Sequence, residues 1–160
     1  MLRKLLRGIL TALLAGAVSF WADIGTKILF FDRAAEEGQM FSLAGGLIRS
    51  TIHRNYGISF NLPIPTWATL LITGLALGWA VAMLVERSRR GQILPCLILG
   101  VFIGGVIGNV YDRLTFGYVR DWLLLFGRSA INIADLLIAS GILAWLAFAQ
   151  KNSRLTDEAT

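Results

Sequence analysis

The run Ile131–Ala149, INIADLLIASGILAWLAFA, decides how the chain is read. A helix of that length crosses a bilayer core about 30 Å thick at a rise of about 1.5 Å per residue. Yet Asn132 and Asp135 stand near its start, and an ionised Asp facing lipid costs roughly 2.5–3.5 kcal/mol even on the lenient insertion scale. A carboxylate there needs a partner or a task.

The whole chain supports a membrane setting. Its 160 residues are 56% hydrophobic and 16% charged, with a mean hydropathy of +0.66, whereas soluble domains are roughly 45–50% apolar even with Gly counted. The formal charge of +5 does not imply nucleic acid, because the basic residues occur in short clusters beside apolar runs and not on an aromatic-interleaved polar face. Cys96 is alone and His53 is the only histidine, so neither an intrachain disulfide nor a Cys/His metal site is expected. No metal and no cofactor is expected.

Four runs approach spanning length, at about 8–27, 65–85, 92–109 and 129–149. Pro65 and Pro95 fall where these helices start and a missing N–H costs little. Arg3, Lys4 and Arg7 ahead of an apolar segment with Ala15-Gly16-Ala17 also outline a cleaved signal peptide. Three later runs, and apolar residues continuing to Phe31, favour a retained first helix. Arg3, Lys4, Arg7, Arg87, Arg89, Arg90, Lys151 and Arg154 are eight of the fifteen basic residues and lie in three short segments. The positive-inside rule puts these segments, and both termini, on the cytoplasmic side.

The connections at about 28–64 and 110–128 then lie outside. The longer one alternates apolar and polar residues between glycines in GGLIRSTIHRNYGISFNLPIP, as short strands do. The expected fold is a membrane all-α protein: a four-transmembrane-helix bundle with a small extracytoplasmic β-like platform between helices 1 and 2, in one domain over 1–160. Glycines at 74 and 78, and at 100, 104 and 108, place small faces on the second and third helices, where close packing accounts for them.

With that topology the polar residues gather at the outer ends. Asp23 and Lys27 share a face of the first helix, four apart. Asn109, Asp112 and Arg113 end the third, Asn132 and Asp135 begin the fourth, and Asp121 lies between. Charge pairs at helix ends, such as Asp23–Lys27 and Asp112–Arg113, are common as caps and anchors. Asp121 and Asp135 have no evident base of their own. Two carboxylates held together can share one proton, one drawing a proton from water while the other polarises a carbonyl, as in aspartic proteases. Their separation in sequence permits contact without demanding it.

The ordered set Asp23-(x3)-Lys27, NYGISF at 55–60, GGVIGNVYDR at 104–113, GYVRDW at 117–122 and NIAD at 132–135 resembles the lipoprotein signal peptidases, also called signal peptidase II. The resemblance implies a bacterial inner-membrane aspartyl endopeptidase that removes signal peptides from prolipoproteins just before a diacylglyceryl-modified cysteine. It implies Asp121 and Asp135 as the catalytic pair. Asn55 and Gly57 would lie near substrate on the platform, Asn109 and Arg113 would bind the substrate backbone, and Asp23, Lys27, Asp112 and Asn132 would organise the site. Trp122 and Ile131 stand where the family usually or often has Phe, which concerns the pocket lining. The implied partners are lipidated prolipoproteins and membrane lipid; no nucleic acid is expected from the clustering of the basic residues, and a monomer is expected because the four runs can satisfy one another. His53 and Cys96 read as structural.

Two other classes of function fit apolar runs with a polar cluster. A membrane scaffold would use the cluster to join helices and the platform to hold a partner. A proton or ion pathway requires polar groups through the membrane depth. The second run has only Thr66, Thr69 and Thr73 near its outer end, and the inner halves of the others are almost wholly apolar.

Overall fold

The computed structural model describes residues 1–38, 40–57 and 64–157, the side chains of 66 and 152–157 excepted. The four apolar runs form α1 (Leu2–Lys27), α3 (Thr66–Arg89), α4 (Ile93–Phe116) and α5 (Ile133–Asp157). Past Lys27 the first helix continues through a π turn, Ile28–Asp32, into the short α2 (Arg33–Glu37). Strands β1 (Ser42–Leu43) and β2 (Ile48–Asn55) follow, and β3 (Val119–Leu125) and β4 (Ser129–Ile131) lie between α4 and α5. Four helical stretches, Leu2–Glu37, Trp67–Arg89, Ile93–Phe116 and Ile133–Lys151, are long and apolar enough to cross a membrane. The strand-like stretch expected at 58–63 lies outside the described residues.

Helix α4 is the central element. It packs against α1, α3 and α5, and 61% of its apolar window is buried against 11–17% for the other three. Such helices present their remaining apolar surface outward, as lipid-facing helices do. The core at α4 joins Ala12, Ala80, Leu84, Cys96, Leu99, Phe102 and Val106.

Glycine explains how closely α1 approaches. A Cβ on Gly104 would lie 2.7 Å from Ser19 Cβ and 2.9 Å from Gly16 Cα, and one on Gly100 would lie 2.8 Å from Ala12 Cα. One turn further, Gly108 faces the Asp23 carboxylate. Gly105 turns the other way, 2.9 Å from Ala134 O at the head of α5. Gly104→Ala must therefore push backbone from backbone, and we expect it to destabilise the protein by about 1–3 kcal/mol, read as a lowered thermal midpoint in detergent. The glycines of α3 differ from the packing expected of them. Among the described residues nothing would lie within 4 Å of a Cβ on Gly74 or Gly78, because regular glycine spacing creates a small face without determining what covers it.

The sheet is larger than a platform between the first two spans. Its order is β1-β2-β3-β4, antiparallel throughout, so half of it comes from the connection between α4 and α5. The segment VRDWLLL forms β3, but Arg120 and Asp121 interrupt its apolar pattern and hide the strand. Two helix limits shift as well. Helix α4 continues past Asn109 to Phe116, where Gly117 at φ 80° closes it with its N–H on Arg113 O. The fourth run begins as strand, Ser129–Ile131 pairing with Leu123–Leu125, and turns helical only at Ile133.

Candidate active site

Strand β3 delivers Asp121 and the first turn of α5 delivers Asp135, both at the sheet end of the helices. Asp121 is fully buried. It accepts hydrogen bonds from Asn55 Nδ2 at 3.0 Å and Asn132 Nδ2 at 2.6 Å. Asp135 accepts from Asn109 Nδ2 at 2.9 Å and from the Asn132 N–H at 3.3 Å. In return the Asp135 N–H donates to Asn132 Oδ1 at 3.0 Å. Asn132 and Asp135 are thus a reciprocal capping box at the start of α5, and the free amide nitrogen of Asn132 ties that box to Asp121.

The three asparagine amides cannot be turned round. Asn55 Oδ1 accepts the Gly57 N–H at 3.0 Å, Asn109 Oδ1 accepts Lys27 Nζ at 3.1 Å, and Asn132 Oδ1 accepts the Asp135 N–H. Each partner is an obligate donor, so each oxygen faces away from the aspartates and each NH₂ faces a carboxylate. Burial, joined by the nearby Asp135 charge, pushes the Asp121 carboxyl up to about 7, while the Asn55 and Asn132 hydrogen bonds pull the other way. The pair is suited to holding one proton near neutral pH.

Behind the asparagines lies a buried ion cluster. Lys27 Nζ is 2.7 Å from Asp23 Oδ2, 3.0 Å from Asp112 Oδ2 and 3.1 Å from Asn109 Oδ1, which engages all three donors of the ammonium. Asp23 also accepts the Ala134 N–H at 2.9 Å, capping α5 from α1. Asp112 takes the backbone N–H, Nε and Nη2 of Arg120, whose Nη1 reaches Asp32 Oδ2 at 2.7 Å. Alternation along β3 sends Arg120 and Trp122 to the face opposite Asp121.

Asp135 borders a cleft of about 400 Å³ between α3, α4 and α5. Asn55, Asn109, Arg113 and Asp135 form its polar end, and Phe102, Val106, Ile138 and Ile142 line the apolar remainder. Thr69 and Thr73 face it from α3. Asp135 lines this space, whereas Asp121 sits behind it. Arg113 Nη2 donates to Gly57 O at 2.8 Å, tethering the chain just past β2 to α4. Among the described residues, no group of three His, Cys, Asp or Glu side chains is placed to share a metal ion.

All ten residues singled out from the sequence therefore meet in one network. One pairing differs: Asp112 binds Lys27 and Arg120, not its neighbour Arg113, because successive helix residues point a quarter-turn or more apart. Trp122 stacks on Phe30 with ring centroids 4.5 Å apart, away from the cleft, and Ile131 lies in β4 opposite Leu123. Neither lines the cleft. His53 stands opposite Asp121 in the β2–β3 ladder. Arg120, Asp32 and Gly105 were not anticipated. An Arg directly before Asp121 in an otherwise apolar segment was the available signal for the first.

Comparison with known proteins identifies the family. The family model described as signal peptidase (SPase) II matches residues 14–150. The chain is 32% identical over 136 residues to the lipoprotein signal peptidase of Geobacter metallireducens, covering 79% of this chain and 82% of that one. It is 33% identical over 129 residues to that of Klebsiella aerogenes, covering 74% and 76%. Its fold matches a solved bacterial membrane enzyme, determined by the in meso method at 2.3 Å, with TM-score 0.76 and 20% identity over 89% of each chain. With four helices of spanning length and a match across most of its sequence, the chain belongs to the signal peptidase II family of multi-pass proteases of the bacterial inner membrane.

Proposed function

We propose that the chain is an aspartyl endopeptidase that removes signal peptides from diacylglyceryl-modified prolipoproteins just before the lipidated cysteine, with Asp121 and Asp135 as its catalytic pair. The observation that carries this reading is that Asn132 hydrogen-bonds both carboxylates, one from its side chain and one from its backbone, at the polar end of an apolar cleft. A water between the carboxylates loses a proton to the ionised one as its oxygen attacks the scissile carbonyl carbon. The protonated carboxyl donates to the carbonyl oxygen, the C–N bond then breaks, and the departing amine takes a proton from the pair. The two roles belong to the pair jointly.

The remaining assignments follow from what each group touches. Asn55, Asn109 and Arg113 border the cleft and, with Gly57 held between Asn55 and Arg113, bind the substrate backbone, while Asp23, Lys27, Asp112 and Asn132 hold the site in shape. The apolar remainder of the cleft accepts the hydrocarbon of the substrate. Both termini lie in the cytoplasm and the aspartates near the periplasmic leaflet, where a signal peptide emerges, a reading supported by the basic clusters at the chain ends and the α3–α4 turn. A monomeric four-helix transmembrane bundle, folded as one domain over 1–160, suffices for this chemistry.

The test is incubation of the purified chain with a diacylglyceryl-modified precursor peptide and chelator, with the cut located by mass spectrometry. Cleavage directly before the lipidated cysteine, unaffected by chelator, is expected; no cleavage by folded protein, or chelator sensitivity, contradicts the reading. Asn109→Asp keeps an oxygen for Lys27 but turns a second one toward Asp135. It should lower kcat/KM roughly 10–100-fold, matching about 1.5–3 kcal/mol for a hydrogen bond to a charged group.

The pH profile should bear the mark of Asp121. Its raised value, about 7, means the shared proton persists below that pH and is lost above it. Accordingly kcat/KM should fall by about tenfold per pH unit on the alkaline side. A profile flat over about pH 6–9 would contradict the shared proton.

A further inference from the structure

The opposite end of the helices gathers cations. Arg87 and Arg89 lie in the last turn of α3, followed by Arg90, and the Lys4 stem lies over the α3–α4 turn, 3.0 Å from where a Cβ on Gly91 would stand. Arg90 is paired with Glu86. Arg87 is held differently. Its guanidinium carbon lies 5.5 Å from the Trp145 ring centroid and 5.6 Å from that of Phe148, and Nη1 donates to Gln92 Oε1 at 3.2 Å. Its buried Nε–H has no partner among the described residues, on a permanently charged group whose N–H groups are all donors.

Trp145 has a second neighbourhood. It meets Trp79 edge-on at 5.3 Å, and both line an apolar cavity of about 320 Å³ with Ile98, Leu99 and Leu146 among its other walls. One indole therefore joins a cation with a spare donor to a space lined by hydrocarbon. Arg3, Lys4 and Arg7 of α1 add further positive charge at this end.

We propose that this crevice binds an anionic phospholipid, with its phosphate on Arg87 and one acyl chain in the cavity beside Trp145. A planar, always-charged guanidinium suits a phosphate oxygen, and clustered basic residues at a membrane surface attract anionic headgroups. The apolar lining favours an acyl chain over water. Phe102 and Ile142 line both this cavity and the aspartate cleft, so the bound chain packs the far wall of the active site. The site lies at the other end of the helices from the catalytic pair and stands whether or not the proposed cleavage is correct.

The test is thermal unfolding of the full chain in a neutral detergent, titrated with short-chain phosphatidylglycerol, phosphatidylcholine of equal acyl length, or inorganic phosphate. Phosphatidylglycerol should raise Tm saturably, with a half-saturation concentration at least about fivefold below that of phosphatidylcholine, and phosphate should not raise it. Arg87→Gln should weaken the phosphatidylglycerol response about tenfold, as one charge-assisted contact is lost. Equal response to the two lipids, a rise with phosphate alone, or an Arg87→Gln titration matching the parent overturns the proposal. The parent's three titrations decide the matter even if the variant does not fold.

Discussion

Asp121→Asn and Asp135→Asn are each expected to lower kcat/KM on a lipidated precursor by at least about 10³-fold, within the ~10²–10⁴-fold that a positioned proton-transfer group supplies. Neither should unfold the protein. At Asp121 both neighbours are amide donors whose oxygens are committed elsewhere, so an Asn there loses one hydrogen bond of about 1 kcal/mol and removes a buried charge. The Asn at 135 likewise keeps one acceptor for the Asn132 N–H and loses the Asn109 contact. A loss of that size shifts the midpoint by about 2–4 °C in a chain of this length. Inactivity with a near-parental midpoint separates chemistry from folding.

Lys27→Ala should produce the largest stability change. The ammonium is fully buried and balances Asp23 and Asp112, both also fully buried. Without it two carboxylates face each other in a low-dielectric interior. Breaking a buried pair costs about 3–5 kcal/mol, a large share of the roughly 5–15 kcal/mol that holds a domain folded. Lys27→Met retains most of the side-chain volume and should lose nearly as much, which assigns the effect to charge rather than cavity. Adding Asp23→Asn to Lys27→Met should recover part of the loss by removing the anion left without a cation, since Asp112 keeps Arg120. Thermal unfolding of the three variants in detergent checks the order; a Lys27→Met protein as stable as the parent would contradict it.

The helices were legible because long apolar runs have few alternatives, and the site because polar residues inside such runs are rare. Asp23, Lys27, Asn109 and Asp135 stood out on that ground alone, and helical spacing put Lys27 with Asp23 and Asp112 with Asn109 on shared faces. What one-dimensional pattern could not supply was the second half of the sheet. The charges of Arg120 and Asp121 break the apolar pattern of β3, and their partners Asp112, Asp32 and Asn55 become apparent only when β3 pairs with β2 and packs near α4 and the α1 extension. Glycine spacing was informative on α4, where α1 meets it, and misleading on α3, where no described residue packs on Gly74 or Gly78. The capping box at Asn132 and Asp135 has a readable spacing, but its link to Asp121 depends on the fold.

The central claim is that Asp121 and Asp135 act as one unit, and the double variant tests it most directly. Groups that share a single step are non-additive when removed. Comparison of kcat/KM for Asp121→Asn, Asp135→Asn and Asp121→Asn/Asp135→Asn on the lipidated precursor should show the double variant no slower than either single one. A double variant slower by the product of the two single losses, or a single variant that cleaves like the parent, would contradict the dyad.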